Sequence, residues 1–114
     1  MIDRQKLKQA YKDLAVSFGI LKITCNPTGQ IFLYALTDID QGKNSLFARL
    51  NGNMYRGSRN RILQDAWNVY GKDAFQIEVL DQLEKKETTD VQTELAALLL
   101  LWQQELPEAI LVAS

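Results

Sequence analysis

The sequence contains no histidine. That absence excludes His-based metal sites, Ser-His triads and imidazole general bases together. Cysteine is nearly as scarce. Cys25 is the only one, so neither an internal disulfide nor a cysteine-built zinc cluster can form. Long apolar runs are missing too: the longest, Leu95–Trp102, is too short to cross a bilayer. The opening stretch Met1–Asp13 is polar and amphipathic, without the apolar centre of a signal peptide. A soluble cytoplasmic protein with no membrane partner is the expectation.

Acids are absent from one stretch. None occurs between Asp40 and Asp65, whereas Lys43, Arg49, Arg56, Arg59 and Arg61 all fall there. From Asp73 to Glu108 the balance reverses, with nine acids against Lys85 and Lys86. A net charge of -1 does not mark the whole chain as a nucleic-acid binder. The central segment is either a local cationic face for phosphates or a solvated face balanced elsewhere.

What is present fits one globular domain. The chain has 114 residues and an apolar fraction of 46%, enough for a single hydrophobic core. Asp3 is placed to cap a first helix running to about Val16, with Leu7, Ala10, Tyr11 and Leu14 on one face. Phe18–Thr24 and Gln30–Leu36 read as strands. Between them Asn26-Pro27-Thr28-Gly29 supplies turn chemistry, so the pair forms a hairpin. Asp38 to Asn44 reads as a loop broken by Gln41-Gly42-Lys43-Asn44, followed by a short helix over Ser45–Leu50. A clearer helix spans about Ser58 to Tyr70, with Ser58 as N-cap and Gly71 closing it.

Phe75–Leu80 is predicted as a third strand, because Phe75, Ile77 and Val79 alternate with Gln76 and Glu78. Thr89-Asp90-Val91-Gln92 fits a capping box that opens a last helix to about Glu105, with Pro107 marking the exit. That helix is apolar nearly all round, which predicts cover on more than one side. It is read as a central core helix, or as part core and part homodimer contact through Leu95–Trp102. The predicted fold is α/β (α+β): a small three-stranded antiparallel sheet with flanking helices. Its single domain divides into a leading helix (1–17), a core (18–106) and a C-terminal tail (107–114).

Two stretches carry a resemblance. Gly19-Ile20-Leu21, the Asn-Pro-Thr-Gly-Gln turn and Ile31-Phe32-Leu33-Tyr34 resemble the opening of a GIY-YIG endonuclease domain. The run from Asn60 to Phe75, with Leu63-Gln64-Asp65-Ala66-Trp67-Asn68 and Tyr70-Gly71, resembles that family's middle helix and its turn into the third strand. The likeness covers about residues 19–105.

The resemblance implies phosphodiester cleavage with one divalent metal, magnesium being the expected ion. It also implies a metal-binding glutamate, a tyrosine from each signature triplet and an arginine facing the phosphate. The first triplet has Leu21 in place of its tyrosine. In the second, Phe32 has the ring without the hydroxyl, and Tyr34 stands at the glycine position. Counting without gaps puts the arginine at Gly42. An insertion in Asp38–Leu46 would bring Arg49 there instead. Counting from Phe75 puts the glutamate at Glu94, an acid that the helix dipole alone would also favour. Candidate catalytic residues are thus Arg49, Tyr34 and Glu94, with Glu94 as metal ligand and Tyr55 as a stand-in hydroxyl. Candidate DNA contacts are Lys43, Arg49, Tyr55, Arg56, Arg59 and Arg61.

Three functions stay open at this point. One is a nuclease-like domain with impaired catalysis that binds nucleic acid through its basic segment. Another is an active metal-dependent endonuclease. The third is a protein-interaction module with no nucleic-acid role.

Overall fold

The computed structural model describes residues 16–86 and 88–112. The predicted leading helix, to about Val16, falls almost wholly on residues 1–15, outside the described residues. Ser17 already belongs to the first strand, β1 (Ser17–Cys25), which returns antiparallel as β2 (Gln30–Leu36). The predicted hairpin is therefore present. Gly29 closes its turn at φ +73°, where its N–H donates to the Cys25 carbonyl at 2.8 Å. The third strand, β3 (Phe75–Glu84), pairs antiparallel with the other side of β1, four residues longer than predicted.

The sheet has four strands rather than three. β4 (Ile110–Val112) runs parallel to β2, giving the order β3-β1-β2-β4. It lies in what reads as a tail because three residues are too few to show a period-two pattern. The chain leaves the last helix, turns through Pro107, and uses the free edge of β2 to satisfy these backbone groups.

Three helices flank the sheet: α1 (Ile39–Asn51), α2 (Ser58–Tyr70) and α3 (Val91–Glu105). Alternation along the strands separates two cores. Leu21, Ile23, Phe32, Tyr34 and Leu36 face α1 and α2, meeting Leu46, Leu50, Leu63 and Trp67. Phe18, Ile20 and Leu33 face the other way, onto Leu95, Leu98, Leu99 and Trp102 of α3. The indole N–H of Trp102 donates to Asp81, tying α3 to β3.

Other boundaries also differ from expectation. The predicted loop Asp38–Asn44 is helix: Asp38 caps α1, its carboxylate accepting from the Gln41 N–H at 3.1 Å. Gly42 permits this rather than breaking it, since a Cβ there would come within 2.6 Å of the Leu36 side chain. Gly57, at φ +92°, occupies the N-cap position of α2, and the helix starts at Ser58 itself. Asp90, not Thr89, caps α3: its carboxylate accepts from both the N–H and the hydroxyl of Thr93. The Thr89 hydroxyl instead accepts from the Lys86 N–H. Finally, α3 is not a central core helix. Among the described residues it is the only helix packed on its face, and Leu100 and Leu101 are left 57% exposed.

Candidate functional site

β2 ends at Leu36, and α1 begins after only Thr37 and Asp38. The short connection folds the first turns of α1 back over the end of the strand. A recess of about 170 Å³ opens there, bordered by Tyr34, Asp38, Gln41, Gly42, Ser45 and Arg49. Gly42, Ser45 and Arg49 fall at i, i+3 and i+7, one face of the helix. The recess is below the ~300 Å³ usual for a whole small-molecule ligand, so it suits a single polar group.

Tyr55 completes this corner. Its ring is in the core at 5% exposure, and its hydroxyl is buried without a hydrogen-bond partner among the described residues. The Tyr34 phenol and the Arg49 guanidinium lie within electrostatic reach. Burial pushes the Tyr55 phenol well above the usual tyrosine range; Tyr34 adds to that shift and Arg49 opposes it. Tyr55 therefore stays a neutral hydroxyl through physiological pH, able to donate a hydrogen bond but not to take a proton from water.

The position of Tyr55 depends on Gln64, which is 2% exposed. The Gln64 carbonyl accepts from the Tyr55 N–H at 3.3 Å, and its amide donates to the Leu50 carbonyl at 2.9 Å and to Asn68 at 3.0 Å. Asn68 in turn donates to Asn53, while the Trp67 indole donates to Asn51. Residues of α2 thus brace the 50–55 connection that carries Tyr55, immediately after Arg49. Sequence reading used Gln64 and Asn68 only as signs of fold. Their i, i+4 spacing, which puts the buried Gln64 beside the exposed Asn68, was the available signal for a bracing role.

The structure brings Arg49, Tyr34 and Tyr55 together. It does not bring Glu94 to them. Glu94 is exposed in the first turn of α3, the helix packed on the opposite face of the sheet. The acid that does border the recess is Asp38, which sequence reading placed at the start of a loop. Arg56 and Arg59 border a second, larger recess beside β4. Lys43 and Arg61 border neither. The insertion that would move Arg49 into register is helix rather than loop, and Gly42 and Arg49 stand two turns apart on it. Leu21 and Phe32 are both fully buried.

Among the described residues no three His, Cys, Asp or Glu side chains gather around one point. Magnesium is ordinarily held by one or two carboxylates together with substrate phosphates. Glu94 offers one such carboxylate, exposed and on the face of the sheet opposite Arg49, and Asp38 already serves as a helix cap.

Two solved structures share this architecture. A mutant of the catalytic domain of the intron endonuclease I-TevI superposes with a TM-score of 0.65 at 16% identity, covering 85% of this chain and 94% of that one. The catalytic domain of the homing endonuclease I-TevI gives 0.59 at 17% identity, covering 85% and 99%. The fold is GIY-YIG-like. No family model matches the sequence, and neither does any curated protein.

Proposed function

We propose that this chain is a nuclease-like domain that holds nucleic acid by its phosphates and is impaired in cleaving it. The observation that carries the reading is the corner formed by Arg49, Tyr34 and Tyr55 on a GIY-YIG-like scaffold. The Arg49 guanidinium and the Tyr34 phenol, which border the recess, are hydrogen-bond donors that suit a phosphate oxygen, with the buried Tyr55 hydroxyl behind them. The same set has nothing to activate water. Leu21 and Phe32 carry no hydroxyl, and Tyr55 keeps its proton.

Charge placement supports the reading despite the net charge of -1. The acids Glu78, Asp81 and Glu84 lie on β3, at one edge of the sheet. Arg56 and Arg59 border β4, at the other edge. A strand on the basic side therefore need not cross the acidic one.

A gel separates the functions still open. Labelled duplex, branched and single-stranded DNA is incubated with the protein and magnesium or manganese, then run native and denaturing. The expected result is retarded but intact DNA. Cleavage would favour the active endonuclease, and its loss in Glu94→Ala or in Asp38→Asn would say which carboxylate serves it; asparagine still caps α1. DNA neither shifted nor cut would favour the protein-interaction module. The exposed Leu100 and Leu101 of α3 are the observation behind that second reading, with a homodimer through Leu95–Trp102 as its simplest form.

A further inference from the structure

The recess beside β4 differs in kind from the one at Arg49. It measures about 370 Å³, within the range of small-molecule pockets. Its apolar lining comes from Leu99 of α3 and from Leu111 and Val112 of β4. Arg56 and Arg59 stand on its border, both exposed, and no acid borders it. Apolar surface beside two guanidinium groups matches a ligand with a flat, weakly polar body and a phosphate.

We infer that this cleft takes one unpaired nucleotide of a single strand, the base against Leu99, Leu111 and Val112 and the phosphate on Arg56 and Arg59. The inference rests on the nucleic-acid reading above and adds the class of substrate. Duplex DNA keeps its base faces stacked, so only an unpaired base can lie on an aliphatic floor. Arginine matches a phosphate through its planar fork of donors, and it is weakly enough hydrated to sit beside apolar surface. Tyr55 and Arg56 are consecutive, their Cα atoms about 3.8 Å apart. Tyr55 lies behind the first recess and Arg56 borders the second; the first is suited to a phosphate alone and the second to a whole nucleotide.

The test is methyl NMR of the full chain labelled at leucine and valine. It is titrated separately with a short oligodeoxythymidylate, a blunt duplex and thymidine 5′-monophosphate. The oligonucleotide is expected to shift the Leu99, Leu111 and Val112 methyls. The blunt duplex should leave them in place. The double variant Arg56→Ala/Arg59→Ala should weaken oligonucleotide binding by roughly 100-fold, about tenfold for each guanidinium removed. Its remaining methyl spectrum should be unchanged, which shows that it folds.

Methyls unmoved by saturating oligonucleotide would overturn the cleft while leaving duplex binding at Arg49 intact. Shifts with the monophosphate but none with the oligonucleotide would overturn the strand as occupant and make the cleft a free-nucleotide site. Binding of no DNA of any form would remove the underlying reading as well.

Discussion

Gly19→Ala is expected to prevent the domain from folding. A Cβ at this position would lie 1.8 Å from the Asp81 carbonyl oxygen and 2.8 Å from its carbon. Both are backbone atoms, so no rotamer change relieves the overlap. β1 is an interior strand, held by β2 on one side and β3 on the other. The β1–β3 register also shifts at Ile20/Leu21, bringing the Asp81 carbonyl in over Gly19. Separating the strands there would break the ladder and open the Phe18–Ile20 core. Ordinary overpacking costs about 1–3 kcal/mol. A clash with backbone in a central strand should exceed about 4 kcal/mol, a large share of the roughly 5–15 kcal/mol available to a domain. Expression trials and urea denaturation decide it. A soluble variant within about 0.5 kcal/mol of the parent would contradict the close approach. Gly19 thus has a structural reason in this chain, independent of any chemistry.

Gln64→Leu should carry the next largest effect. Leucine nearly conserves the volume, so no large cavity forms. The loss is of hydrogen bonds: the Tyr55 N–H is left buried without its acceptor, while the Leu50 carbonyl keeps the Asn53 N–H. An unsatisfied buried group costs about 1–3 kcal/mol, so a destabilisation of that size is expected from urea denaturation. The variant should also lose DNA affinity, because the connection carrying Tyr55 loses its brace beside Arg49. A change below about 1 kcal/mol would mean that Gln64 does not hold this connection.

These two residues show why some of the molecule was legible and some was not. Local signals announced the hairpin: alternation in Gln30–Leu36 and the Asn26-Pro27-Thr28-Gly29 turn act over neighbouring residues. The same holds for α2 with Gly71 behind it, and for β3. By contrast, α1 begins six residues before the predicted Ser45 because Gly42 meets Leu36, an approach between elements that local propensity cannot report. β4 exists only because the edge of β2 is open to it.

The site was legible in the same uneven way. Tyr34, Arg49 and Tyr55 were each named from the sequence, but their convergence depends on α1 starting at once after β2. That early start also brings Asp38, Gln41 and Ser45 to the recess, where sequence reading saw a loop. Glu94 was located by counting along the chain. Counting gives its place on α3 but not the face of the sheet on which α3 packs.

The most direct measurement is fluorescence anisotropy of labelled duplex, branched and single-stranded DNA, titrated across a salt series with the parent chain and with Arg49→Ala. Arg49 is exposed on α1, so its removal should leave the fold intact. The parent should bind, with affinity falling steeply as salt rises. Arg49→Ala should bind about tenfold more weakly with a salt slope shallower by about one. No binding even at low salt, or a variant indistinguishable from the parent, would contradict the assignment of Arg49, Tyr34 and Tyr55 as a phosphate-holding corner.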